Sequence, residues 1–397
     1  MKKKVAFIVS SLNMGGAQRA VSSIVSNLPE DWDIRLVLNS DKNISYPYKG
    51  EIVSLGIDGG GSRTGLLYQT RVFIKRYFYI KKMKKDERFD AVISFLDSAN
   101  ILNILTGKSG KNIISVRNCI SKNKSWKYKW IVGPLVRRLY DHADMVVALS
   151  DGVKKDLIDN YKIDSDKVIT IYNCYNVNDI NLASKNNLSL KMDLGSFNVM
   201  TAGRLCHQKG QWHLIRAFSE VVKAYPKACL HIFGDGDYKE YLDKLIEDLN
   251  LKNNIKIYGY TKDLYSIMGK MELFIFPSLY EGLGNVLIEA LCCGLPCIST
   301  DYCYGAREVL QLHAKEKYDC VDVEYVDYGV LVPVMSGTQY SSDDELDEKE
   351  LKLAKAIISM IKDEKLRLLY KEKAVERAYD FSAKTIIPSW IELIENS

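Results

Sequence analysis

The segment LFIFPSLYEGLGNVLIEALCCGLPCIST, Leu273 to Thr300, narrows the possible folds more than any other part of this chain. Two apolar runs of strand length, Leu273 to Phe276 and Pro296 to Ser299, enclose a stretch of helix formers that begins near Asn285 and stops before Gly294. Strand, loop, helix and strand in that order make a βαβ unit, which belongs in a parallel sheet covered by helices. The loop Pro277 to Gly284 lies beyond the carboxyl end of the first strand and opens the helix, where backbone N–H groups and the helix dipole favour an anion such as phosphate. Glu281 in the loop and Glu289 on the helix are eight positions apart, so both can reach one ligand lying over the helix start. Carboxylates accept hydrogen bonds from hydroxyls, and sugars and riboses supply many of these.

At 397 residues the chain exceeds one ordinary core, and two domains are expected. Its 47% hydrophobic and 26% charged residues suit a globular protein. No apolar run approaches the roughly 18 to 20 residues of a membrane span. The opening MKKKVAFIVS runs straight into a strand without a signal-peptide pattern, so a cytoplasmic location is expected. Nine scattered Cys without a C-x-x-C pair read as reduced core thiols, and no zinc site is expected.

The net charge of +5 identifies no partner, but its distribution is informative. Arg71, Lys75, Arg76, Lys81, Lys82, Lys84, Lys85 and Arg88 crowd one helical stretch among Phe73, Ile74, Tyr77, Phe78 and Ile80. Lys122, Lys124, Lys127, Lys129, Arg137 and Arg138 follow, with Trp126, Tyr128, Trp130 and Ile131 between them. Cations mixed with aromatics suit an anionic membrane surface; a solvated helix face packed on a sheet gives the same pattern. No nucleic-acid motif accompanies the charge, and no nucleic-acid partner is expected.

From the start, VAFIVS reads as a buried strand, and Gly15-Gly16 precede a helix with Ala20, Val21, Ile24, Val25 and Leu28 on its apolar face. This turn is not G-x-G-x-x-G, and no acidic residue ends the next strand, so a dinucleotide is disfavoured. Strands at Ile52–Leu55, Ala91–Leu96, Asn112–Val116, Met145–Leu149 and Val168–Ile171 alternate with helices, the pattern of a doubly wound parallel sheet. Gly59 to Arg63 reads as a mobile loop that could cover a ligand. Gly107-Lys108-Ser109 lacks the upstream glycine of a P-loop. Ser150 is a candidate N-cap. The polar stretch after Asn176 has no clear periodicity and reads as a linker. The expected organisation is an N-terminal domain over 1–178, a linker over 179–196, a second domain over 197–380, and a terminal helix over 381–397.

The second half restarts with FNVMTAGRLCHQKGQWHLIRAF, in which a strand delivers Gly203-Arg204 and Lys209-Gly210 opens a helix. With PSxxEGxGNVxxEAxxxGxPxIST and its E-x(7)-E pair, this resembles the donor site of the retaining, GT-B-fold glycosyltransferases of family 4. The resemblance spans the chain, most specifically Gly203 to Pro333. It implies two Rossmann-like, doubly wound parallel-sheet domains facing across a cleft, and transfer of a hexose or N-acetylhexosamine from a nucleotide-diphosphate sugar, most often UDP-linked. It also implies a donor site built from Gly16, Gly203, Arg204, Lys209, Glu281, Gly282, Leu283, Gly284, Asn285 and Glu289. Arg204 and Lys209 would hold the diphosphate, Glu281 the sugar and Glu289 the ribose, with Glu281, Arg204 and Lys209 as the catalytic set. Tyr258, Gly259 and Tyr260 stand where the nucleobase would lie, and a core role suits those tyrosines equally.

Retention in this family implies a front-face substitution in which the departing phosphate takes the acceptor's proton. Fixed cations rather than a metal or other cofactor would offset the charge on the leaving group. Gln18 stands where many relatives carry Glu. Arg117-Asn118 stand where several carry a His or an acid, and Arg117 suits an acceptor phosphate. Gly15, Arg117 and Asn118 are the acceptor candidates. ISTDYCYGAREVL resembles polysaccharide-type members, with Ala306 in place of Pro. With the basic, aromatic segments this implies a lipid-linked or polysaccharide acceptor at the inner membrane face. A soluble acceptor, a non-hydrolysing sugar-nucleotide epimerase and a silent partner subunit are the alternatives.

Overall fold

A computed structural model of the protein describes residues 2–13, 15–57, 65–123, 125–187, 195–302, 305–312 and 320–396. The chain divides into two units, Met1–Tyr175 with Ser382–Ser397, and Asn176–Phe381.

In the first unit, β1 (Lys4–Ile8), β2 (Asp33–Leu38), β3 (Glu51–Ser54), β4 (Ala91–Phe95), β5 (Lys111–Val116), β6 (Met145–Ala148) and β7 (Val168–Thr170) form one parallel sheet in the order β3-β2-β1-β4-β5-β6-β7. Its central strands are buried at nearly every position because helices cover both faces. Val5 and Phe7 enter one core cluster while Ala6 and Ile8 enter the other, the two-residue period of a strand. Phe95 lies between Phe7 and Trp390, with ring centroids 6.3 and 6.0 Å away. Trp390 belongs to the terminal helix Ala383–Glu395, whose Ile386, Ile387 and Ile394 complete that face. Ser150 caps the helix Asp151–Tyr161 as expected, its Oγ accepting from the Val153 amide.

In the second unit, β8 (Phe197–Ala202), β9 (Ala228–Phe233), β10 (Ile255–Gly259), β11 (Leu273–Phe276), β12 (Cys297–Thr300), β13 (Glu324–Val326) and β14 (Gly329–Val332) form a sheet in the order β10-β9-β8-β11-β12-β14-β13. All pairs are parallel except the β13–β14 hairpin. The strand order reverses between β8 and β11. A crevice forms at the carboxyl ends of strands at such a switch point, and here those ends carry Gly203–Lys209 and Pro277–Gly284.

Two expectations need correction. The segment expected to be a linker over 179–196 is in part a helix, Val177–Ser184, that belongs to the second unit. Its low intrinsic propensity is overridden by burial of Val177, Ile180 and Ser184, at i, i+3 and i+7. Asn181 Nδ2 donates to the Cys292 carbonyl at 3.0 Å and fastens it to the helix Asn285–Cys292. The run of cations in the helix Leu66–Asp86 is also not one solvated face, because Arg76 and Lys84 are buried. Burial pushes the Lys84 ammonium down to about 7, yet its three protons are matched by the Asn103 and Gly107 carbonyls at 2.6 and 2.7 Å and by Asn112 Oδ1 at 3.1 Å. The loop Gly59 to Arg63 lies outside the described residues.

Candidate active site

The geometry on the second unit begins at the end of β8. Gly203 follows the strand, and the Lys209 side chain lies along it, so that a Cβ at Gly203 would sit 3.1 Å from Lys209 Cε. Gly234, with φ at 139°, ends β9 against the same backbone, and a Cβ there would stand 1.9 Å from the Gly203 carbonyl oxygen. Only glycine permits that approach, which holds the two strand ends together.

A single 3-10 turn, His207–Lys209, leads into the helix Gln211–Ala224. Lys209 Nζ is 2.6 Å from Glu281 Oε1 and 4.7 Å from the centre of the Phe276 ring, and the two charged side chains are only 16% and 15% exposed. Ser278 Oγ also donates to Oε1, at 3.4 Å. Two loops far apart in sequence are thus joined by charge, and their backbones are joined as well. The Leu279 amide donates to the Gln208 carbonyl at 2.8 Å, and Gln208 Nε2 donates to the Tyr280 carbonyl at 2.9 Å. Arg204 is exposed and forms no ion pair among the described residues, while its carbonyl accepts from Gln211 Nε2 at 2.9 Å.

Gly284 precedes the helix Asn285–Cys292 with φ at 81° and places no side chain over its first turn. A Cβ at Gly284 would lie 2.2 Å from Tyr302 Oη and 2.8 Å from Phe276, and Tyr302 Oη donates to the Leu283 carbonyl at 2.9 Å. The turn is therefore rigid, with Gly282 and Leu283 buried beneath it and Asn285 half-buried at the helix start. Glu289 is more deeply placed than its partner in the E-x(7)-E pair, at 6% exposure. The ammonium of a half-buried lysine, an exposed guanidinium and a helix start without a side-chain cap suit an anionic ligand, and the carboxylates suit hydroxyls.

Tyr258 is half-buried. Its ring stacks on Phe233 and His231, with centroids 4.9 and 5.6 Å away, and its hydroxyl is 3.0 Å from His231 Nδ1. Burial, aided by Lys256, pushes the His231 imidazole down to about 4. Gly259 accepts the Gly234 amide at 2.8 Å, and Tyr260 is exposed. The run Asp235-Gly236-Asp237 has a spacing that can hold a metal, but Asp235 Oδ1 accepts from the Gly236 amide at 2.9 Å within the turn. The one cluster of metal-ligating types among the described residues is His213, Asp347 and Glu350. There Glu350 accepts from Arg216 Nε at 3.1 Å and from His213 Nδ1 at 2.7 Å, so an arginine already neutralises it.

On the first unit, Gly15 and Gly16 open the helix Gly16–Asn27, and Gln18 folds back so that a Cβ at Gly15 would meet its Oε1 at 2.3 Å. Arg117 follows β5, is 8% exposed, lies 5.1 Å from the Phe95 ring and donates from Nη2 to Asn173 Oδ1 at 2.6 Å. Its Nε and Nη1 have no hydrogen-bond partner among the described residues, and burial pushes the guanidinium down to about 10. Asn118 beside it is exposed. Sequence reasoning missed Gln208 and Phe276, which fix Lys209 and its loop. No pattern signals them, because their partners are 72 and 67 positions away.

Residues 14–179 match the family model described as Glycosyltransferase Family 4, and residues 189–319 match that of Glycosyl transferases group 1. An uncharacterized glycosyltransferase of Methanocaldococcus jannaschii is 35% identical over 354 residues, 85% of this chain and 86% of that protein. A second relative, from Campylobacter jejuni, is N-acetylgalactosamine-N,N'-diacetylbacillosaminyl-diphospho-undecaprenol 4-alpha-N-acetylgalactosaminyltransferase, 29% identical over 96% of both chains. Among solved structures, that of Anabaena HepE in complex with UDP and glucose superposes over the full length of both chains with a TM-score of 0.72 at 20% identity, a likeness of fold. The motifs, the two parallel sheets and these relatives agree that the chain belongs to the family 4 glycosyltransferases of GT-B fold.

Proposed function

We propose that this glycosyltransferase moves a hexose or N-acetylhexosamine, with retention, from a UDP-linked donor to a lipid-linked or polysaccharide acceptor at the cytoplasmic face of the membrane. The observation that carries the donor half is the Lys209–Glu281 pair, set at the switch point beside the helix start at Gly284 and Asn285. Lys209, Arg204 and the helix start offset the charge that develops on the departing diphosphate. Glu281 holds Lys209 through Oε1, which assigns the sugar hydroxyls to Oε2; Glu289 takes the ribose, and the base lies by Tyr258 and Gly259. A carboxylate neutralised by an ammonium at 2.6 Å is a poor nucleophile, which favours front-face substitution over a glycosyl-enzyme intermediate. Fixed cations make a metal unnecessary, and turnover is expected to survive EDTA.

Gly15, Arg117 and Asn118 keep the acceptor assignment. The C. jejuni relative's diphospho-undecaprenol acceptor supports a lipid-linked one here. Phe78, Trp126 and Trp130 are 64%, 70% and 61% exposed among lysines and arginines, which supports a membrane surface. No helix among the described residues is long and apolar enough to cross a membrane.

A panel of nucleotide sugars scored by UDP release tests the reading, with product configuration assigned by NMR. Slow UDP release with one donor and an axial product supports it. Interconversion of the donor would mark an epimerase, and silence with every donor a non-catalytic subunit.

A further inference from the structure

The first unit contains a cavity of about 630 Å³ that the motifs do not mark. Such a volume lies within the roughly 300–1,000 Å³ of small-molecule sites. It opens at the carboxyl ends of β2, β3 and β4, where Asn39, Ile57 and Leu96 line it. Val72, Phe73 and Arg76 of the helix Leu66–Asp86 form one wall, and the segment Lys127–Leu135 forms the other.

Three independent features set it apart. Arg76 lines the cavity at only 6% exposure, donating from Nη1 to Ser98 Oγ at 2.6 Å, while its Nε has no hydrogen-bond partner among the described residues. No carboxylate among the described residues pairs with it, and burial pushes it down to about 10. A buried guanidinium with an unused donor is costly unless an anion completes it. Leu96, at φ 74° and ψ 150°, occupies a region nearly confined to glycine, a strain of about 1–3 kcal/mol that clusters at functional sites. Across from it, Tyr128–Val132 form one turn of π-helix, which also recurs at such sites. Asp97, the one carboxylate among the described residues that line the cavity, accepts from the hydroxyls of Tyr128 at 2.7 Å and Tyr140 at 3.1 Å, so its lone pairs are turned to those hydroxyls.

The lining is therefore amphiphilic. Arg76, Ser98 and Lys127 supply positive charge and donors, and Val72, Phe73, Ile131 and Leu135 supply an apolar wall. Ile131 is 43% exposed and is continuous along its turn with Trp130 and Trp126, so the apolar wall runs outward to the aromatic surface. We propose that this cavity holds the lipid diphosphate end of the acceptor, with Arg76 and Ser98 on the diphosphate and the first isoprene units along Val72, Phe73 and Ile131. The proposal rests on the lipid-linked acceptor put forward above and gives that acceptor a site.

The test is calorimetric titration of the full chain with farnesyl diphosphate, inorganic pyrophosphate and farnesol, and separately with UDP. Farnesyl diphosphate is expected to bind at least tenfold more tightly than either fragment. Arg76→Gln and Ile131→Glu are each expected to weaken it tenfold or more while leaving UDP binding and the melting temperature unchanged. Ile131 is at the surface, so its variant keeps the test intact if Arg76→Gln does not fold. Equal binding of pyrophosphate would reduce the site to a free-anion site, and equal binding of farnesol to an apolar groove; either overturns the proposal, as does unchanged binding by Ile131→Glu. A chain that binds UDP but not farnesyl diphosphate overturns this proposal alone, whereas failure to bind UDP strikes the donor reading.

Discussion

Replacing Lys209 with Met removes one charge from the donor site and keeps the stem that lies along Gly203. The Lys209 side chain is 16% exposed, so the field of its ammonium is only partly screened. At an effective dielectric of about 20, a unit charge about 4 Å from a phosphate oxygen contributes about 4 kcal/mol. That agrees with the roughly 2.7–4 kcal/mol lost when one preorganised donor is deleted, or about 10²–10³ in kcat. The fold should be affected much less. Glu281 loses its partner but is 15% exposed and keeps Ser278, so the cost lies between the 0–1 kcal/mol of a surface pair and the 3–5 of a buried one, at about 1–2 kcal/mol. UDP release under saturating acceptor measures the first quantity and urea denaturation the second. The cycle with Glu281→Gln sharpens the result. If Glu281 only positions Lys209, the double variant turns over no more slowly than Lys209→Met; a sugar contact through Oε2 adds a further loss. Lys209→Met with kcat within threefold of the parent would refute the reasoning.

Three further outcomes follow from the structure. Gly284→Ala forces a Cβ to within 2.2 Å of Tyr302 Oη at a φ of 81°, and a loss of about 1–3 kcal/mol with weaker UDP binding is expected; an unchanged denaturation midpoint would count against the rigid turn. His231 titrates near 4 when folded and near 6.5 when unfolded, so the unfolded chain takes up the proton first. The stability this group contributes is complete above about pH 6.5 and is lost as pH falls toward 4, on the order of 3 kcal/mol in total. In His231→Gln that part of the pH dependence of the urea midpoint should vanish, and an unaltered profile would contradict it. Glu350→Ala leaves Arg216, 1% exposed, without its carboxylate and should cost about 3–5 kcal/mol, while the folded fraction still binds UDP; a loss below 1 kcal/mol would show the cluster to be dispensable.

The sequence carried the site's parts but not their assembly. The strand ends at Gly203 and Phe276 were legible because buried parallel strands are short apolar runs bounded by turn residues. Glu281 and Lys209 stood out for the same reason, as charges just beyond those ends. That they pair at 2.6 Å was not legible, since 72 positions separate them and only the reversal of strand order at β8 and β11 joins them. The stack of Tyr258 with Phe233 and His231 was not legible either, because the three rings come from β9 and β10. The helix Val177–Ser184 was missed because three buried positions in an Asn-rich segment carry too weak a period. Arg76 and Lys84 were hidden by their context, because a run of cations reads as solvated, and burial of two of them depends on which face the sheet covers.

The most direct measurement is the crystal structure of the chain with its UDP-sugar. The account predicts the diphosphate within hydrogen-bond reach of Lys209 Nζ and of the backbone at Gly284 and Asn285, with the hexose against Glu281. A diphosphate bound away from Lys209, with the Lys209–Glu281 pair unchanged and facing solvent, would contradict it.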